Sequence, residues 1–148
     1  MQVVIIGGVA GGASAAARLR RLDESAEIVM LERTGYVSYA NCGLPYYVGG
    51  VIADRAELTL QTPERFRERF NIDVRVGSEV TAINREAKTV SVREAETGRI
   101  YEEPYDKLIL APGAAPVVPA AVSLDSLRVF TLRTVEDALA LRAFVTEK

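Results

Sequence analysis

The apolar positions of this chain fall into two kinds of run. Residues 3–6, 28–31 and 107–110 are short and apolar with little alternation, the pattern of parallel strands covered on both faces. Residues 73–76 read as a further parallel strand. Residues 79–84, 89–94 and 99–103 alternate instead and are parted by turn-like stretches such as Thr97 and Gly98, which predicts a three-stranded antiparallel meander. Between the first two apolar runs, residues 13–22 form a helix of good formers, with Ala15, Leu19 and Leu22 as its apolar stripe and Ser14, Arg18 and Arg21 beside it. Strand, helix and strand make a βαβ unit, hence a right-handed crossover in a parallel sheet.

The rest of the chain is read more coarsely. Residues 34–61 are loop-rich with short helical stretches. Thr62 and Pro63 open a helix with Phe66 and Phe70 on one face. Residues 129–132 are predicted as a strand, and Thr134 to Asp137 as a capping box before a last helix, residues 135–147. The fold class is therefore α/β and Rossmann-like, with the meander inserted before the last parallel strand.

The turn between the first strand and its helix is where candidate chemistry begins. Gly7, Gly8, Val9, Ala10, Gly11 and Gly12 follow the strand, and Glu32 ends the second strand 20 residues beyond Gly12. Strand, glycines, helix and carboxylate in that order match a dinucleotide fingerprint. Gly7 serves the tight turn and Gly12 the close packing of helix on strand, while the helix N-terminus offers free N–H groups to a pyrophosphate. Val9 stands where the fingerprint has its middle glycine. Glu32 suits a ribose, whose two hydroxyls a carboxylate accepts. Ala111, Pro112 and Gly113 end the strand at 107–110, at the sheet edge where α/β proteins bind ligands.

Composition narrows the chemistry. The 148 residues are 49% hydrophobic and 26% charged, enough for one domain with a core. A net charge of −2 provides no field for nucleic acid or an acidic membrane surface. The apolar runs are too short to span a bilayer. No basic leader precedes Val3, which points to the cytosol. The chain has no histidine, which excludes Ser-His-Asp, Cys-His and His-ligated metal sites built from this chain alone.

One cysteine, Cys42, lies among Ser38, Tyr39, Ala40, Asn41, Gly43, Leu44 and Pro45. A single cysteine makes no internal disulfide. On residues alone it is either a small buried hydrophobe or a reactive thiol at the start of a short helix running to Val48, whose N-terminus favours a thiolate. Tyr36, Tyr39, Tyr46 and Tyr47 crowd the same loop, as hydroxyls near the thiol or as packing. Arg18 and Arg21 complement the helix dipole or, with Ser14, form a phosphate-binding stripe. Arg65 and Arg69 read as a solvated helix face.

These residues together resemble a known family. The run from Gly7 to Gly12, then Glu32, then Ser38 through Tyr47, is similar to the coenzyme A-disulfide reductases, single-cysteine members of the pyridine nucleotide-disulfide oxidoreductases. The form with a C-terminal rhodanese domain, active on CoA disulfides and persulfides, is the nearest resemblance, and it extends through Tyr105 to Gly113. It implies FAD, with its pyrophosphate on residues 7–12, its ribose on Glu32 with Arg33 nearby, its adenine against Val80 and its flavin near Asn41, Cys42, Ala111, Pro112 and Gly113. It implies Cys42 as the redox thiol, alternating with a mixed disulfide to CoA, and CoA contacts at Ser14, Arg18, Arg21, Ser38 and Asn41. A lysine that helps hold CoA in some relatives falls at Phe70. The resemblance further implies an NAD(P)H domain, a returning FAD segment and a dimerisation domain in a homodimeric parent, so that this chain reads as its N-terminal FAD-binding part. Two other readings stand beside it: an NADH oxidase or peroxidase in which Cys42 cycles through sulfenic acid, and a non-catalytic nucleotide-binding module.

Overall fold

In the computed structural model, which describes residues 1–121 and 128–146, the elements follow in the order β1 (Gln2–Ile6), α1 (Ala10–Leu22), β2 (Glu27–Leu31), α2 (Leu44–Val48), α3 (Pro63–Phe70) and β3 (Asp73–Arg75). They continue with β4 (Ser78–Asn84), β5 (Thr89–Glu94), β6 (Ile100–Pro104), β7 (Lys107–Leu110) and α4 (Val135–Thr146). The chain divides into two compact units. One holds Met1–Tyr39 and Gln61–Gly113, the other the described residues of Ala40–Leu60 and Ala114–Lys148.

The first unit is built on a four-stranded sheet in the order β3-β2-β1-β7, all pairs parallel. Val3 pairs with Ile28 and Ile5 with Met30, so alternate residues of both strands reach the same face. That face packs on Ala13 and Ala16 of α1 and on Phe66 of α3. Val4, Val29 and Leu31 on the other face meet Val90 and Val92 of β5. Both faces are therefore covered, which is why residues 3–6 of β1 and 28–31 of β2 are apolar without alternation. The meander forms as predicted, in the order β4-β5-β6, with a bulge between Val80 and Ala82. Arg75 ties β3 to β6: it donates to Glu103 at 2.6 Å and to the Tyr101 hydroxyl at 3.1 Å, and pairs with Asp73. Burial works against its charge, but the bonds to Tyr101, Glu103 and Asp73 hold it firmly protonated.

Two expectations for α1 are corrected. It begins at Ala10, so Gly11 and Gly12 form its first turn. Its buried residues are Gly12, Ala13 and Ala16, with Leu19 packed beside them, whereas Leu22 is 67% exposed. Small residues face the sheet because the helix starts so close to it, and Leu22 lies in the last turn, past that contact.

The second unit is helical. Asn41–Gly43 forms a 3₁₀ turn leading directly into α2, and Arg55–Leu58 forms another. Leu44, Tyr47, Leu58, Val135 and Ala138 are buried. Arg142 of α4 lies 4.1 Å from the Tyr47 ring centroid and donates to the carbonyls of Ile52 and Ala53. The predicted capping box forms: Thr134 Oγ1 accepts from the Asp137 N–H, and the Asp137 carboxylate accepts from the Thr134 N–H. Residue 147, the predicted end of this helix, is outside the described residues. Residues 129–132 are not a strand. Phe130 sets its ring 5.0 Å from that of Phe144, so this segment packs on a helix and joins no ladder.

Candidate functional site

At the carboxyl end of β1 the chain turns through Gly7, whose φ is +96°. A Cβ there would lie 2.0 Å from the Ala111 carbonyl oxygen, so glycine is required both by conformation and by the approach of the chain leaving β7. A Cβ on Gly12 would lie 1.7 Å from the Gly7 carbonyl oxygen and 3.2 Å from Ile5 Cγ2. The first turn of α1 thus rests directly on the loop. No side chain caps it and no acidic residue sits in it, which leaves the N–H groups of the turn and the positive end of the helix dipole available to an anion.

Glu32 is buried beside this turn. One carboxylate oxygen accepts from the Gly8 N–H at 2.8 Å, and the other from the N–H and hydroxyl of Thr34, both at 2.9 Å. The carboxylate is therefore oriented before any ligand arrives. It retains lone pairs for further donors such as sugar hydroxyls. Gly7, Glu32, Arg33, Ser78, Val80 and Pro112 line one cleft of about 130 Å³. Of the residues the sequence suggested for a nucleotide, Gly7, Glu32, Arg33, Val80 and Pro112 line this cleft, and Gly8, Val9, Ala10, Gly11, Gly12, Asn41, Cys42, Ala111 and Gly113 do not. Thr34 and Ser78 were missed. Thr34 had a local signal, a hydroxyl residue two positions after an acid, able to bond back to it.

Glu32→Gln is expected to lower the unfolding free energy by about 1–3 kcal/mol, because its amide NH₂ faces donors from Gly8 or Thr34 and leaves them unpaired. A urea midpoint equal to that of the parent chain would show that these bonds do not hold the turn.

The remaining candidates distribute as follows. Ser14, Arg18 and Arg21 are all exposed on α1, one turn apart as the spacing predicts. Ser38 takes a left-handed φ of +46°, held by its N–H bonding to the Gly8 carbonyl at 2.9 Å. Gly113, also at positive φ, follows Ala111 and Pro112 out of β7, an edge strand. Asn41 and Cys42 belong to the second unit. Cys42 is exposed, which removes the buried-hydrophobe reading. It lies inside the 3₁₀ turn Asn41–Gly43, which runs directly into the five-residue α2, so a short helical stretch does lead from here to Val48. Tyr39 and Tyr47 are core residues, and Tyr46 is exposed.

The pyridine nucleotide-disulphide oxidoreductase family matches residues 1–147. The chain belongs to that family. It is 44% identical over 144 residues to the coenzyme A disulfide reductase of Staphylococcus aureus (strain bovine RF122 / ET3-1), a match covering 97% of this chain and 32% of the relative. Its fold superimposes on reduced Bacillus anthracis CoADR-RHD with a TM-score of 0.96 and 53% identity, over 99% of this chain and 26% of that one. The NAD-dependent persulfide reductase from A. fulgidus gives a TM-score of 0.93 and 37% identity over 99% of this chain and 28% of that one. The chain thus spans about a third or less of the length of these relatives. Val9, where the fingerprint has its middle glycine, is the N-cap of α1, while the close approaches of the turn are made at Gly7 and Gly12. No helix among the described residues is long and apolar enough to cross a membrane.

Proposed function

We propose that this chain is the FAD-binding part of an NAD(P)H-dependent flavoprotein that reduces CoA disulfide or CoA persulfide through Cys42. The observations that carry the reading are, in the first unit, a cleft in which Glu32 is fixed at the glycine turn and, in the second, an exposed thiol in the turn Asn41–Gly43. Similarity to a coenzyme A disulfide reductase and to a persulfide reductase supports the substrate class.

In this reading residues 7–12 hold the FAD pyrophosphate, Glu32 and Arg33 its ribose, Val80 its adenine, and Asn41, Cys42, Ala111, Pro112 and Gly113 its flavin end. Held by these residues, FAD would supply the site with the two electrons that NAD(P)H provides. The Cys42 thiolate attacks one sulfur of CoA disulfide, the substrate S–S bond breaks, one CoA leaves as a thiolate, and Cys42 is left in a mixed disulfide with the other. Two electrons and two protons then restore the Cys42 thiol and free the second CoA. Ser14, Arg18, Arg21, Ser38 and Asn41 hold the CoA moiety. The reading includes a cytoplasmic homodimeric holoenzyme, with no role for nucleic acid or membrane.

The arginine stripe tests the substrate. Charge-assisted bonds from arginine to phosphate contribute roughly 1.5–3 kcal/mol each when well placed. Replacing both Arg18 and Arg21 with Ala in the holoenzyme should raise KM for CoA disulfide tens of fold, while turnover of a small disulfide without phosphates hardly changes. Equal loss on both substrates would mean that the arginines serve the fold, and the CoA assignment would fall.

A further inference from the structure

The two carboxylate oxygens of Glu32 are not equivalent. Oε1 accepts from two donors of one residue, the Thr34 N–H and the Thr34 hydroxyl, both at 2.9 Å. Oε2 accepts from the Gly8 N–H alone, at 2.8 Å. The Thr34 hydroxyl has a single proton and a second acceptor within reach, the Tyr36 carbonyl at 3.2 Å. The carboxylate is nearer and is the stronger acceptor, so the proton goes to Oε1. Both oxygens belong to a buried side chain, so bonds within the chain rather than bulk water set their orientation.

A carboxylate oxygen has two lone pairs. On Oε1 the two Thr34 donors use both, so the acceptor capacity that remains is on Oε2, the oxygen bonded to the glycine turn. We infer that Glu32 reads a nucleotide ribose through Oε2 by one hydroxyl only, and that Thr34 is the positioning residue that sets this by occupying Oε1. The sequence expectation, in which the carboxylate accepts both ribose hydroxyls, is thereby narrowed to one. This role rests on the dinucleotide cleft proposed above and adds which oxygen serves it and which neighbour directs that oxygen.

Calorimetric titration of the full chain with ADP, 2′-deoxy-ADP and 3′-deoxy-ADP tests it, each analogue being read as its affinity ratio to ADP. One analogue should bind the parent chain about tenfold more weakly than ADP, the loss of one hydroxyl-to-carboxylate bond. Thr34→Val keeps the backbone bond and the side-chain shape but drops the hydroxyl. It should shrink that ratio about threefold, because the carboxylate is no longer held, and leave the other analogue's ratio unchanged. Thr34→Ser should restore the parent ratio. Glu32→Gln should shrink the same ratio: the two Thr34 donors keep the amide oxygen in the place of Oε1 and set its NH₂ where the hydroxyl would donate. Ratios that shrink for both analogues in Thr34→Val, or for neither, would overturn the inference; the second result would mean that Thr34 serves the fold alone. So would shrinkage in Thr34→Val that is absent from Glu32→Gln, since Thr34 would then meet the ribose itself. ADP that binds without this pattern overturns the role of Thr34 and leaves the dinucleotide reading, whereas no saturable binding of ADP removes both.

Discussion

Gly12→Ala is expected to lower the stability of the parallel-sheet unit by about 3 kcal/mol or more, the range of substitutions that force backbone apart in a packed interior. The new methyl would stand 1.7 Å from the Gly7 carbonyl oxygen, where no side-chain rotation relieves it. Either α1 moves off the turn or Gly7 gives up the conformation in which its N–H bonds to the Leu31 carbonyl at 2.8 Å. Both routes disturb β1 and β2 and the N–H groups at the start of α1. The same methyl one residue earlier meets a different environment. On Gly11 it would lie 3.4 Å from Ala111 Cβ and touch no backbone, and glycine to alanine inside a helix gains about 1 kcal/mol of intrinsic propensity. Gly11→Ala should therefore match or exceed the parent in stability. Urea unfolding of the two variants checks the pair, and equal midpoints would refute the close-packing argument for Gly12.

Cys42→Ser is expected to abolish CoA disulfide reduction by the holoenzyme, with a loss of at least about a thousandfold, while leaving fold and flavin content unchanged. A serine hydroxyl is not ionised near neutral pH and does not form a mixed disulfide, so the bond that captures CoA cannot be made. The site tolerates the change structurally because Cys42 is exposed and no core contact depends on its sulfur. Flavin absorbance of the purified variant and its thermal unfolding verify that tolerance, and steady-state turnover reads the loss. Substantial residual activity would mean that electrons reach the disulfide without Cys42, and the proposed function would fail.

The strands and the glycine turn were legible because each obeys a local rule. Residues buried on both faces of a parallel strand must be apolar without alternation, and the buried residues of β1 and β2 show it. The meander alternates because one of its faces meets the sheet and the other meets solvent, as Val90 and Val92 against Ser91 and Arg93 illustrate. The Thr62 cap with Pro63, and the box from Thr134 to Asp137, are likewise contacts within a few residues.

Burial on α1 was misread because hydropathy ranks leucine above alanine and glycine. Distance to the sheet chose instead, and at the start of α1 there is room only for Gly12, Ala13 and Ala16. Residues 129–132 had the composition of a strand, but whether such a segment pairs or packs depends on what lies beside it, here Phe144 of α4.

By itself, then, the sequence determined the α/β class, the order of the strands from β1 to β7 and the residue types at the glycine turn, all of which follow from backbone periodicity and near-neighbour sterics. Only the tertiary structure decided that Glu32 is oriented by Gly8 and Thr34, that Arg75 joins β3 to β6, and that Arg133 holds Asn41. Those are meetings of polar groups far apart in the chain. No local pattern encodes them, because a charged side chain reads the same whether water or a distant partner satisfies it, and packing alone settles which.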